Sequence, residues 1–277
     1  MLELYDFNNS VCAQKVRMTL AEKGLDWTER AVDLFRLEQY DPKYLAVNPK
    51  GVVPTLVHDG TPVIESTLIC EYLDDVFPDP PLRPAAPAEL SAMRVWAKTV
   101  DEGLHAGITA ISFSAMFRER MRGMTDEQRA RRWRNIGDPA RSDRDRSVYE
   151  QGVESPYVYN AIAAYESAFE KLEKTLSHAG PWVMGDAFTI ADIVLAPYMA
   201  RLDYLTLLEV WTGDRPGVAG WWARFGERDS CREQLSGRLT PEMIEPMNRF
   251  GAAIRERMAE RREEHLAELA AVRADAA

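Results

Sequence analysis

Cysteine is scarce: Cys12, Cys70 and Cys231 are the only three in 277 residues. They are too few and too scattered for a disulfide framework, and an odd count in a reducing compartment needs no pairing. The four histidines, His58, His105, His178 and His265, show no HxxxH spacing, and no CxxC motif accompanies them. No metal site is therefore expected. Basic residues are outnumbered, with 34 Lys and Arg against 44 Asp and Glu and a formal charge of -10. Neutralising phosphates needs a basic surface, so nucleic acid is not an expected partner. No apolar run approaches the roughly 20 residues that span a bilayer, so no membrane partner is expected either. The opening MLELYDF has neither a charged n-region nor an apolar h-region, which predicts a cytoplasmic protein.

What is present suffices for two domains. Leu2 to Phe7 reads as a buried strand, Asn8-Asn9-Ser10 as a turn and cap, and Val11 to Glu22 as a helix ending at Lys23-Gly24. Trp27 to Leu34 predicts a second strand, Thr55 to Val57 a third and Pro62 to Ile64 a fourth, with Asp59-Gly60 as the hairpin turn between the last two. Leu68, Ile69, Tyr72, Leu73 and Val76 then recur at helical spacing. The order βαβ then ββα is that of a thioredoxin-like domain over residues 1–80. Five prolines between Pro78 and Pro87 predict a stiff linker, residues 81–89. From 90 to 246 only helical periodicities follow, so the fold class is α/β plus all-α. Within that part, residues 118–154 carry ten arginines and eight acidic residues with few apolar anchors. This predicts a solvated, mobile charged insertion, with a lid carrying Trp133 and Tyr149 as the functional alternative. In the tail, 247–277, Phe250, Ile254, Met258, Leu266, Leu269 and Val272 fall on one face of a charged helix, which predicts a docked amphipathic helix.

Three short segments carry chemistry. Val53-Pro54 opens a strand, so the proline is either a loop kink or a cis-proline that exposes the preceding backbone groups. Exposed N–H and C=O groups pair with an extended peptide by strand addition. Ser66, at the start of a helix, adds a hydroxyl to that helix's free amides, which suits a peptide carboxylate. Glu65 beside it supplies a counter-charge for an amine. The four residues describe a pocket for a small peptide such as glutathione. Thiol chemistry on that peptide then needs a donor that stabilises the thiolate. Ser10, at the head of the first helix, supplies one, or is a plain N-cap. Cys12 in the first turn is the competing reactive group, or a small buried apolar residue. Asn9 adds an amide donor to either sulfur.

The run Asn9-Ser10-Val11-Cys12-Ala13-Gln14-Lys15-Val16-Arg17, with Val53-Pro54 and Glu65-Ser66, resembles the N-terminal domain of cytosolic glutathione S-transferases. Gly185-Asp186-Ala187-Phe188-Thr189-Ile190-Ala191-Asp192 is similar to the capping box and hydrophobic staple that open a core helix in that family. Here Thr189 is the cap, Asp192 returns a bond to it, and Phe188 packs on Ile193. The resemblance implies that Ser10 stands where zeta-like classes carry an active serine and Cys12 where beta-like classes carry a cysteine. Ala13 to Arg17 is closer to the zeta and omega forms, which favours Ser10. A further likeness, to bacterial β-etherases that cleave lignin-derived aryl ethers, rests on His58-Asp59-Gly60, Glu65 to Leu73, Met93 to Lys98, Asp101-Glu102 and the long insertion.

The expected function is accordingly glutathione thiolate attack on an electrophilic, aromatic substrate, with β-aryl ether cleavage as one form. Glutathione is the expected cosubstrate, and a homodimer, or a heterodimer with a paralogue, the expected assembly. Phe7, His105, Phe113, Met116 and Tyr204 are the candidates for a second-substrate pocket. The alternatives are isomerisation of a maleyl-type diacid, which needs a cation near Ser10, and a non-catalytic glutathione-binding regulator.

Overall fold

Alternation along Leu2–Asp6 puts Leu2, Leu4 and Asp6 inside and makes this segment the first strand, β1. The computed structural model describes residues 1–275. In it β1 pairs in parallel with β2 (Thr28–Ala31) and antiparallel with β3 (Thr55–His58), which pairs antiparallel with β4 (Thr61–Ile64). The sheet order is β2-β1-β3-β4. Asp59 and Gly60, both at positive φ (47° and 83°), make the two-residue hairpin turn. Helix α1 (Val11–Glu22) follows β1 and stops just before Gly24 at φ 62°. β2 is shorter than the predicted Trp27 to Leu34. The Asp33 carboxylate accepts from the Phe35 and Arg36 amides at 2.8 and 3.2 Å, which turns the chain out of the sheet. A short helix α2 (Pro42–Leu45) and then α3 (Ser66–Val76) complete the expected order.

The proline-rich stretch, predicted as a stiff linker over 81–89, is shorter than that. Helix α4 (Pro87–Thr99) already begins inside it. The residues before α4 are tied down by Asp74, which accepts from the Leu82 amide at 2.8 Å and the Arg83 Nε at 2.7 Å and pairs with buried Lys23. Lys23 also donates to the Pro80 carbonyl at 2.5 Å, and the Ile190 amide to the Leu82 carbonyl at 2.9 Å. The chain divides into two compact units, which cut across a partition by chain order. One comprises Met1–Lys98, Thr175–Tyr198 and Gly220–Thr240, the other Thr99–Lys174, Met199–Ala219 and the residues from Pro241 onward.

In the first unit the predicted capping box of Thr189 and Asp192 forms. The Thr189 amide donates to Asp192 Oδ2 at 3.0 Å and the Ala191 amide to Thr189 Oγ1 at 3.3 Å, heading helix α10 (Ile190–Tyr204). Asp192 also accepts from the Val183 amide at 3.0 Å and the Trp221 indole at 2.9 Å. Burial pushes its carboxyl up to about 6, against these donors. Phe188 meets Trp182 and Phe225, with ring centroids 5.0 and 5.7 Å away.

The second unit begins in a helical run that continues α4 through α5 (His105–Ser112) and α6 (Arg118–Arg122), with π-helical turns at Val100–Leu104 and Phe113–Phe117. The charged segment 118–154, predicted as a solvated insertion with few apolar anchors, folds as α6, α7 (Asp126–Asn135) and α8 (Pro139–Gln151). Caps replace the missing apolar anchors. Thr125 and Gln128 form a reciprocal capping box, Asp138 caps α8 ahead of Pro139, and Arg118 donates to the carbonyls of Tyr149 and Glu150 at 2.8 and 3.1 Å. Trp133 and Tyr149, the candidate lid residues, lie edge to face with each other, centroids 6.2 Å apart.

Helices α9 (Pro156–Ala179), α11 (Glu209–Thr212), α12 (Pro216–Gly226) and α13 (Asp229–Gln234) precede the tail, which folds as α14 (Pro241–Ala252) and α15 (Arg255–Asp275). The predicted apolar face docks in part, with Met258 buried and Phe250, Ile254, Leu266 and Leu269 half-buried, and three charged or polar residues are buried beside it. The buried residues of α15 are Met258, Arg261, Arg262 and His265, while Val272 is 66% exposed. Glu166 of α9 accounts for the burial of Arg262, because Arg262 Nε binds it at 2.7 Å and Arg215 binds its other oxygen. Gly251 of α14 is obligatory, since a Cβ there would stand 1.9 Å from the Leu205 carbonyl oxygen.

Candidate functional site

The strand register sets Tyr5 of β1 opposite Thr55 of β3, and Thr55 opposite Ile64 of β4. The C-terminal ends of β1 and β4 and the start of β3 therefore share one edge of the sheet. Three connections leave there: Phe7 to Ser10, which enters α1; Gly51 to Pro54, which enters β3; and Glu65, which enters α3. All three candidate segments are thereby brought to one end of the first unit.

Phe7 and Ser10 close a turn, with the Ser10 amide donating to the Phe7 carbonyl at 2.8 Å. Asn9 lies within this turn. Ser10 has extended backbone (φ -85°, ψ 117°) and its hydroxyl accepts the Ala13 amide at 3.3 Å, so it is the N-cap of α1. An accepting serine keeps its own O–H proton to donate elsewhere. Cys12, in the first turn, is half-buried, with its Sγ 4.0 Å from the Tyr198 hydroxyl oxygen. Lys15, one turn on, is fully buried; its ammonium donates to Thr67 Oγ1 at 3.1 Å and stands 5.6 Å from the Tyr198 ring centroid. That bond ties α1 to the first turn of α3.

Val53 is buried and its bond to Pro54 is cis. The residues on either side are clamped from α2 and the loop after it. Tyr44 donates its hydroxyl to the Val52 carbonyl at 2.6 Å and lies 3.0 Å from Thr55 Oγ1, while Asn48 Nδ2 donates to both oxygens at 3.0 Å. Gly51 (φ 59°) admits the approach of Tyr40, whose ring would be 3.1 Å from a Cβ. Sequence reasoning missed Tyr44 and Asn48. Their spacing of four, ahead of a Gly-Val-Val-Pro run, is the signal that could have found them.

Glu65 is a non-glycine residue at φ 70°, ψ 106°. Backbone of this kind costs about 1–3 kcal/mol and persists where its surroundings enforce it. Its side chain is exposed and paired with Lys50, Nζ to Oε1 2.6 Å. Ser66 is 9% exposed at the first position of α3, whose first turn holds no acidic side chain, and the Glu65 carboxylate at the N-cap is paired with Lys50.

The second-substrate candidates divide. Phe7 belongs to the first unit, where it packs with Val32, Tyr44 and Val53 and meets Phe35 edge to face at 5.3 Å. His105, Phe113, Met116 and Tyr204 belong to the second. There Phe113 is a core side chain, 2% exposed, Met116 and Tyr204 are half-buried, and His105 is exposed at the start of α5. Phe113 and Met116 both lie in the second π-helical turn, a form often found at functional positions. Among the described residues no group of three His, Cys, Asp or Glu is placed to hold a metal ion.

Comparison with known proteins bears on these segments. The family described as "Glutathione S-transferase, N-terminal domain" matches residues 4–81, and "Glutathione S-transferase, C-terminal domain" matches residues 139–224. Protein LigF of Sphingobium sp. is 30% identical over 253 residues, which cover 89% of this chain and 98% of that protein. Maleylacetoacetate isomerase of Pseudomonas aeruginosa is 30% identical over 214 residues, 76% of this chain and 86% of that protein. The crystal structure of the beta-etherase LigF from Sphingobium superposes with a TM-score of 0.75, covering 85% of this chain and 99% of that one.

Proposed function

The chain belongs to the glutathione S-transferase family and is a glutathione-dependent transferase; from that premise we propose that it directs the glutathione thiolate at the carbon of a β-aryl ether. In this reading the backbone of Val53, next to Pro54, pairs with the extended peptide. Ser66 and the first amides of α3 take the α-carboxylate, and Glu65 exchanges Lys50 for the ligand's amine. Ser10 donates to the sulfur from the head of α1, where the helix amides act on the same charge, and holds the thiol as thiolate. Asn9 lies beside it and Cys12 is dispensable. The thiolate attacks the carbon next to an aryl ketone, an S–C bond forms, the C–O bond breaks, and the aryl oxygen departs as phenoxide and takes a proton. The observation that carries this reading is the register of Tyr5, Thr55 and Ile64, which gathers the three segments at one sheet edge. The likeness to the β-etherase LigF supports the choice of ether.

The family's second chemistry, isomerisation of a maleyl-type diacid, is less well served. The two cations nearest Ser10 along α1, Lys15 and Arg17, are fully buried and bound to Thr67 and Asp6. The test is to incubate purified protein and glutathione with a β-aryl ether, a maleyl diacid and a haloaromatic. Release of the phenol, with a thioether of glutathione, is expected. Ser10→Ala should lower kcat/KM by roughly 10- to 1,000-fold, the usual effect of losing one preorganised donor. An inactive Cys12→Ala with an active Ser10→Ala would overturn the assignment.

The proposed assembly is a two-fold dimer in the cytoplasm. Leu68 and Val76 on α3 are 58% and 39% exposed, and Val95 on α4, which the Arg94–Glu71 ion pair ties to α3, is 50% exposed. A light-scattering mass near 31.4 kDa would exclude the dimer.

A further inference from the structure

Arg17 is fully buried on α1 and its guanidinium reaches in three directions. Nη1 pairs with the Asp6 carboxylate at the end of β1. Nη2 donates to the Asn8 carbonyl at 2.9 Å and, with Nε, to the Gln234 carbonyl at 3.3 and 3.4 Å. Gln14 Nε2 is a second donor to the Asn8 carbonyl, at 3.4 Å.

Asn8 and Asn9 are the two central residues of the turn that the Phe7 carbonyl and Ser10 amide close. The peptide between them is the one whose rotation by half a turn separates the type I form from type II. In a trans peptide the carbonyl and the next N–H point opposite ways, so gripping the Asn8 carbonyl from the core fixes the Asn9 N–H away from it. The grip also fixes the entry of the chain into Ser10. We infer that Arg17, with Gln14, is a positioning residue for the Ser10 turn: the guanidinium selects one orientation of the Asn8–Asn9 peptide and so sets where the serine hydroxyl stands. Asp6 supplies the counter-charge that lets a guanidinium occupy the interior. A lysine would satisfy Asp6 but lacks the planar fork that reaches both carbonyls as well. The inference rests on the proposed role of Ser10 and adds the residue that holds it in place.

The experiment follows the ultraviolet absorbance of enzyme-bound glutathione thiolate against pH in wild type, Ser10→Ala, Arg17→Lys, Arg17→Met and Glu22→Gln. The last breaks the pair of Glu22 with Arg228, elsewhere on α1. Ser10→Ala should raise the thiol midpoint. Both Arg17 variants should raise it too, with kcat/KM at neutral pH down roughly tenfold, as small misplacements of a reacting group cause, and KM for glutathione near wild type. Glu22→Gln should titrate as wild type whatever stability it loses. A raised midpoint in Ser10→Ala beside wild-type midpoints in both Arg17 variants would overturn the inference and leave the serine assignment standing. A wild-type midpoint in Ser10→Ala would instead overturn the serine assignment and the inference with it. Should the Arg17 variants fail to fold, Gln14→Met decides: a raised midpoint supports the inference and an unchanged one overturns it.

Discussion

Asp6 in one unit and Glu166 in the other are both buried carboxylates that face arginine, yet the two arrangements hold different things. Asp6 meets a single guanidinium whose remaining donors go to backbone carbonyls, and what becomes fixed is a turn of four residues. Burial raises the Asp6 carboxyl above its ordinary range, with the charge of Arg17 acting against the rise. Glu166 binds Arg215 through one oxygen and Arg262 through the other; these arginines also donate to the carbonyls of Trp211 and Val210 at 2.7 and 2.9 Å. What becomes fixed there is a whole helix, α15, against α9 and the residues around α11. Around Asp6 buried charge thus sets a local turn while also reaching Gln234, and around Glu166 it fixes a whole helix.

The comparison breaks most sharply at Glu166. Glu166→Ala leaves two guanidinium groups buried without their shared partner, and removal of one side of a buried ion pair costs about 3–5 kcal/mol. Urea unfolding should show that loss, with α15 becoming accessible to protease; a loss below about 1 kcal/mol would mean that Asp214, 3.0 Å from Arg262, suffices as counter-charge.

Asp192 offers a third arrangement, a buried carboxylate held by neutral donors alone. Its carboxyl is raised from 3.8 to about 6, so the folded protein binds the proton more tightly than the unfolded chain. The resulting stability is complete below about pH 4 and is lost as pH rises through about 6. A rise of that size corresponds to about 2–3 kcal/mol. The stability of wild type relative to Asp192→Asn, measured by urea unfolding, should be greater at pH 4.5 than at pH 7 by roughly that amount. An identical gap at the two values would show that the Val183, Thr189 and Trp221 donors hold the carboxylate ionised throughout.

The smallest effect belongs to charges in water. Lys174→Ala removes an exposed i,i+4 pair with Glu170, 2.6 Å, on α9. The cost should be about 0.3–0.5 kcal/mol and should vanish in high salt. A loss comparable with that of Glu166→Ala would erase the distinction between buried and exposed pairs in the second unit.

Where the sequence was legible, the determinants were close together along the chain. The β1-α1-β2 and β3-β4-α3 order follows from alternation, from Asp59-Gly60 and from Gly24. The Thr189–Asp192 box follows from a spacing of three. The Trp221 indole on the same carboxylate, 29 residues on, has no sequence signal of its own. The helices of the charged segment were not legible from apolar periodicity because they rest on caps: Thr125 with Gln128, and Asp138 before Pro139, are motifs that can be read directly. The charged residues buried beside Met258 in the tail were missed for a different reason. Arg261 and Arg262 are polar by any scale, and partners far away along the chain, Glu166 nearly a hundred residues earlier and Asp214, make burial of Arg262 favourable. At the site, Ser10, Val53, Glu65 and Ser66 announce themselves by neighbouring motifs, while Tyr44, Asn48 and Arg17 act on backbone carbonyls, which any residue type presents.

The first unit is written in three stretches of chain, 1–98, 175–198 and 220–240. Its history of gene exchange is constrained accordingly. A crossover near residue 82 would look harmless in a linear map of the sequence, but it would separate Leu82 from the Ile190 amide, Arg17 from the Gln234 carbonyl and Glu22 from Arg228 unless the new partner supplied equivalents at all three places. The stretch 99–174 joins the first unit at only two points, yet replacing it would part Glu166 from Arg215 and Arg262, and Glu154 from Arg257, unless the donor keeps those carboxylates. A chimera grafting that single stretch should express where the donor keeps a carboxylate at the Glu166 position and fail where it does not.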